Sequence, residues 1–162
     1  MSRIALQVEY DGAGFHGWQS QAGGGTVQDA LEGALARVAD APVTLVGSGR
    51  TDSGVHALGQ VAHFDAPVDR PLKAWRDGVN ANLPAGAAVR ETREVSSGFH
   101  ARRSAVARTY CYRILNRSAR PALDQGRATW VREPLDAAAM HRAGQALVGR
   151  HDFSAFRSAG CQ

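Results

Sequence analysis

The chain has 162 residues, 44% of them hydrophobic, which is enough apolar surface for a buried core and excludes a chain too polar to fold. The formal net charge of +4 favours a polyanionic partner, and Lys73 is the only lysine, so arginine carries nearly all of that charge; either phosphate and base recognition or a high-GC coding bias accounts for this. Met1-Ser2-Arg3 leads straight into an alternating segment with no secretory pattern, and no apolar run approaches the roughly 20 residues that cross a bilayer, so the cytoplasm is the expected compartment and no membrane partner is expected.

Ile4 to Tyr10 alternates apolar with small or polar residues, which predicts a half-buried strand ending at the turn Asp11-Gly12. After Gly23-Gly24-Gly25, Thr26 with Asp29 three residues on predicts a capped helix whose apolar face is Val27, Leu31, Ala34, Leu35 and Val38. Pro42 to Gly47 and Gln60 to Asp65 read as strands joined by a Gly-rich connection. Pro71 starts a second helix running to about Asn80, and Ala87 to Thr92 is a following strand. The order strand, helix, strand, strand, helix, strand predicts an α+β fold, a ferredoxin-like βαββαβ unit with an antiparallel sheet and both helices on one face, over residues 1–104.

Residues 105–162 read as the incomplete start of a second, similar unit. Val106 to Leu115 is the expected strand, Arg127 to Val131 a shorter one, and Leu135 to Val148 a helix using Ala138, Ala139, Ala143, Ala146 and Leu147 as its apolar face, with Phe153 and Phe156 behind it. The strands that would finish a second sheet do not follow, so the chain is expected to be cut short. Only two cysteines occur, Cys111 and Cys161, neither at metal-ligand spacing; both read as reduced thiols, and no metal site is expected.

The chemistry concentrates in Gly47-Ser48-Gly49-Arg50-Thr51-Asp52-Ser53-Gly54. Its glycines let the backbone approach a ligand, and Arg50 and Asp52 share one side if the loop is extended, where the arginine would hold the carboxylate ionised. On local chemistry alone, the commoner reading is an Asp and an Arg bracing a turn. Ser48 lacks the nucleophile-elbow spacing, Gly23-Gly24-Gly25-Thr26 lacks the residues of a phosphate loop, and His56 and His63 lack further metal ligands. The strand from Arg108 to Leu115 would put Arg108, Tyr110, Tyr112 and Ile114 on one face, either stacking a base or partly buried, and Arg102 and Arg103 add a basic cluster.

Taken in order, Tyr10-Asp11-Gly12, Phe15, Gly17-Trp18-Gln19 and Gln21, then Thr26-Val27-Gln28, then Gly49 to Ala57, Gly59-Gln60-Val61 and His63-Phe64, then Arg108-Thr109-Tyr110 and Tyr112 closely resemble the TruA family of tRNA pseudouridine synthases. The resemblance implies isomerisation of uridine to pseudouridine in the tRNA anticodon arm, without cofactor or metal, by a homodimer with a positively charged cleft. It implies that Asp52 is the catalytic carboxylate, that Arg50 pairs with it and binds substrate, and that Tyr110 contacts the target base. Arg102, Arg103 and Arg108 are the expected tRNA-binding residues. If the pocket needs a missing second half, the chain would bind tRNA and catalyse nothing.

Overall fold

A computed structural model describes residues 2–156, which divide into two compact units, Met1–Cys111 and Tyr112–Gln162. The first is an α+β unit. Strand β1 (Arg3–Tyr10) buries every second residue, Ile4, Leu6, Val8 and Tyr10, as its alternation requires. Helix α1 (Val27–Ala39) begins at a complete capping box, with Thr26 Oγ1 accepting from Asp29 N at 3.1 Å and the Asp29 carboxylate accepting from Thr26 N at 3.2 Å. It ends at Asp40, whose left-handed backbone (φ 53°) turns the chain, with Pro42 shortly beyond.

Strand β2 (Val46–Gly47), β3 (Ala57–Asp65) and β4 (Ala87–Val95) complete an antiparallel sheet of order β2-β3-β1-β4. The strand expected from Pro42 is only two residues long, for a physical reason. The Leu45 backbone is taken by α1: its N–H donates to Glu32 Oε1 (2.8 Å) and its carbonyl accepts from Gln28 Nε2 (3.2 Å), so it joins no ladder. Residues 72–80 are helical, with a π-helical middle at Ala74–Gly78. That segment and α1 supply Trp75, Val79, Val27, Leu31 and Leu35 to one core with the buried side of β1, leaving the other sheet face partly exposed.

The second unit contains β5 (Ile114–Asn116) paired in parallel with β6 (Thr129–Val131), and helix α2 (Ala137–Gly144), capped by Asp136 and followed by a 3-10 turn, Gln145–Leu147. Two expectations are corrected here. Residues 105–113 form no strand, because alternation supplies a pattern but not a partner; among the described residues, regular pairing reaches only Ile114–Asn116. The apolar face of α2 is also uncovered, with no helix residue buried. Phe153 and Phe156 pack on one another, ring centroids 6.1 Å apart, and both are exposed. Cys111 is a free, exposed thiol, whereas Cys161 lies outside the described residues.

Candidate active site

The connection from β2 to β3 is clamped on both sides of Asp52. Its start is tied down by Ser48 N to Val61 O (2.8 Å), Ser48 Oγ to Gln60 Oε1 (2.6 Å) and Gln60 Nε2 to Gly49 O (2.8 Å). Just before the aspartate, Thr51 shares a hydroxyl hydrogen bond with Tyr10 (2.8 Å) and accepts at its carbonyl from Trp18 N (2.9 Å). Just after it, Ser53 Oγ donates to Phe15 O (3.2 Å), and Val55 N closes a turn onto Asp52 O (3.1 Å). The loop after β1 is therefore a template for the Asp52 loop. Two glycines permit the approach: a Cβ on Gly12 would lie 2.1 Å from Val55 O, and Gly17, at φ +82°, lies against the backbone of Thr51 to Ser53.

Within this frame the Asp52 side chain is exposed and, among the described residues, makes no hydrogen bond or ion pair. Buried Tyr10 stands behind Thr51. Burial pushes its phenol up, hydrogen bonds with Thr51 and Gln60 oppose this, and the nearby Tyr110 phenol adds to the rise. Tyr110 itself is 75% exposed, presenting its ring to solvent rather than to the core. Arg108 lies over the start of the loop, Nη2 donating to Ser48 O (2.6 Å), and a Cβ on Gly49 would meet its Nε at 3.3 Å.

The expected Arg50–Asp52 pair does not form. Arg50 instead donates from Nε to Gln19 Oε1 (3.1 Å), a partner 31 positions away that local spacing does not reveal. Arg50 lines an open cleft of about 470 Å³ with Gln19, Gln28, Leu45, Val46, Gly47, His100, Arg102 and Arg103, a wall with three guanidinium groups and no carboxylate. Tyr112 belongs to the second unit, where its hydroxyl meets Thr129 Oγ1 (2.7 Å).

The turn carrying Arg102 and Arg103 is held by Arg3 and Asp65, to which the sequence motifs assign no role, and by His63. Arg3 pairs with Asp65 through Nε and Nη2 (2.8 Å each) and donates from Nη1 to Ser97 O (2.7 Å) and Phe99 O (2.8 Å). That pairing holds the Asp65 carboxyl below its usual range. His63, 4% exposed, accepts at Nδ1 from Ala101 N (3.2 Å), and its ring lies 5.0 Å from that of His100. Burial, then the charges of Arg3 and His100, keep the His63 imidazole below the usual histidine range, against the opposing pull of Asp65 and a bond to the Val46 backbone. A strand register alone could have flagged Arg3 and Asp65, which face one another across β1 and β3. Among the described residues, no three His, Cys, Asp or Glu side chains are grouped to hold a metal.

The family model of tRNA pseudouridine synthases matches residues 6–102, a stretch containing the clamped loop and its template and ending at Arg102 in the basic turn. The chain belongs to the tRNA pseudouridine synthase family. Among related family members, tRNA pseudouridine synthase A of Dechloromonas aromatica (strain RCB) is 62% identical over 160 residues, 99% of this chain and 61% of that protein. The enzyme of the same name from Thiobacillus denitrificans is 53% identical over 162 residues, 100% of this chain and 62% of that one. A third, from Stenotrophomonas maltophilia, is 55% identical over 161 residues, 99% of this chain and 63% of its own length. The chain thus spans about three-fifths of these synthases. Among the described residues, no helix is long and apolar enough to cross a membrane.

Proposed function

We propose that this chain carries the catalytic loop of a tRNA pseudouridine synthase that isomerises uridine to pseudouridine in the anticodon stem-loop, with Asp52 as the catalytic carboxylate. The observation that carries this reading is an exposed, unpaired carboxylate on a backbone clamped at Thr51 and Ser53. A carboxylate so held is oriented without being consumed by an internal partner, which suits covalent or electrostatic catalysis. The N1–C1′ bond breaks, the base turns, and a C5–C1′ bond forms while C5 loses a proton and N1 gains one. Every atom and electron pair of the uridine is conserved, so the balance calls for no co-reactant.

The target base must leave its stack to reach Asp52, at a cost of a few kcal/mol. Tyr110, exposed close to Tyr10, is the residue we assign to the base, and Arg50, Arg102, Arg103 and Arg108 are assigned to the RNA strand. The sheet order β2-β3-β1-β4, with α1 and the helical segment on one face, supports a ferredoxin-like reading of residues 1–104; the second unit, expected from residue 105, clusters by itself only from Tyr112. Action in the cytoplasm as a homodimer is part of the same reading and rests on the family resemblance.

The test is tritium release from 5-tritiated uridine in tRNA, on this chain and on this chain joined to the C-terminal remainder of the Dechloromonas aromatica relative. The expected result is release by the extended protein, abolished in Asp52→Ala with tRNA binding nearly intact; full activity in that variant refutes the assignment. One observation favours a second reading, in which this chain alone retains only tRNA binding. It spans 61% of that relative, and Tyr110 is left 75% exposed. Binding without release by the shorter protein, and release by the longer one, would establish it.

A further inference from the structure

Gln28 is 8% exposed in the first turn of α1, yet all of its amide capacity is used. Nε2 donates to Glu32 Oε1 (2.9 Å) and to Leu45 O (3.2 Å), while Oε1 accepts from Gln19 Nε2 (2.8 Å) and Ser20 N (3.2 Å). The direction of this chain of bonds is not arbitrary. A carboxylate and a backbone carbonyl only accept, so they fix the Gln28 NH2 toward α1 and the β2 approach. Its oxygen must then face Gln19, and Gln19 must answer with its own NH2. That leaves Gln19 Oε1 facing the cleft, where Arg50 Nε donates to it at 3.1 Å.

We propose that Glu32, Gln28 and Gln19 form a polarity relay that positions Arg50 as a fork for the phosphodiester oxygens of an RNA strand, a reading that rests on the proposed function. Glu32 and Gln28 lie four residues apart on one helical face, so the relay is anchored in rigid structure rather than in the loop it serves. With Nε occupied, Nη1 and Nη2 make no hydrogen bond among the described residues and remain for bidentate contact with phosphate. Arg102 and Arg103 line the same cleft, which has no acidic side chain in its wall, so an anionic strand meets only positive charge there. All three relay residues are positioning residues, acting through Arg50.

The experiment is a double-mutant cycle on this chain, measuring affinity for an anticodon stem-loop RNA. Glu32→Gln keeps an oxygen for Leu45 N and Gln28 Nε2 and should bind like the parent. Glu32→Met should weaken binding about tenfold, the loss of one well-oriented charged hydrogen bond. Gln19→Met leaves the buried bonds of Gln28 to Glu32, Leu45 and Ser20 in place and serves if Glu32→Met does not fold; the same loss is expected. In an Arg50→Ala background both losses should vanish, whereas a merely structural role would persist there. Equal losses in the two backgrounds, unchanged binding in Gln19→Met, or unchanged binding in Arg50→Ala would each overturn the relay. The arginine Nε–H signal of Arg50 in 15N NMR should be rigid in the parent and mobile in Gln19→Met. Failure of tritium release with these couplings intact would count against the isomerase reading alone.

Discussion

Replacing Gly12 by alanine tests whether the loop after β1 is the template that shapes the Asp52 loop. A Cβ there would lie 2.1 Å from Val55 O and 2.5 Å from its carbonyl carbon. Carbon and oxygen settle at about 3.3 Å, so the two loops must part by roughly 1 Å. Neither side is a flexible side-chain tip: Gly12 is buried, its N–H donates to His56 Nδ1 (3.1 Å), and Val55 closes the turn on Asp52. Overpacking costs about 1–3 kcal/mol, and loss of the hydrogen bond adds about 1. We therefore expect Gly12→Ala to lower the urea midpoint by about 1–2 M, given a slope of about 1–3 kcal/mol per molar. Tryptophan fluorescence reads the transition, because Trp18 and Trp75 are 1% and 0% exposed in this core. In the extended protein, a displacement of about 1 Å at Asp52 should reduce tritium release about 100-fold. Gly14→Ala is the control, since nothing lies within 4 Å of its added Cβ. An unchanged midpoint in Gly12→Ala, or equal effects of the two substitutions, would refute the template argument.

Thr26→Ala should destabilise the first unit by about 1–2 kcal/mol at neutral pH, as removal of a buried N-cap does. Hydrogen bonds from Ser20 and Thr26 depress the Asp29 carboxyl, so the stability they supply is present above its unfolded pKa and lost as pH falls through the lower folded value; the difference between parent and variant, followed by urea unfolding, should narrow in acid. His63 acts in a higher window. Its folded pKa is depressed, so the unfolded chain binds more protons below about pH 6.5, and stability should fall as the solution is acidified from there. His63→Gln, whose oxygen can still accept from Ala101 N, should flatten that slope in urea titrations between about pH 7 and 5; an unaltered slope would assign the acid sensitivity elsewhere.

Much of the site was legible before any coordinates. The Thr26–Asp29 box, the alternation of Ile4 to Tyr10 and the Gly-rich loop around Asp52 are local signals, because a cap, a pleat and a tight turn are each written within a few residues. The pairing of Arg50 was misread for the same reason. Two residues of separation describe only the local chain, whereas Arg50 Nε takes a partner, Gln19, that lies 31 positions away in sequence. The strand expected from Val106 to Leu115 forms only at its end, in Ile114–Asn116: its alternation is real, but a strand is completed by a neighbour that periodicity does not specify.

What the sequence alone determined is therefore the nature of the parts: an arginine-rich α+β chain whose ordered motifs put one aspartate in a glycine-rich connection. Only the tertiary structure decided which parts touch. Gly12 meets Val55, Tyr10 meets Thr51, Arg3 meets Asp65, and Arg50 turns to Gln19 rather than to Asp52. Each of these contacts joins residues tens of positions apart, brought together by sheet register and core packing. A short-range pattern carries no information about such distances, so the orientation of the Asp52 loop could be read only from the fold.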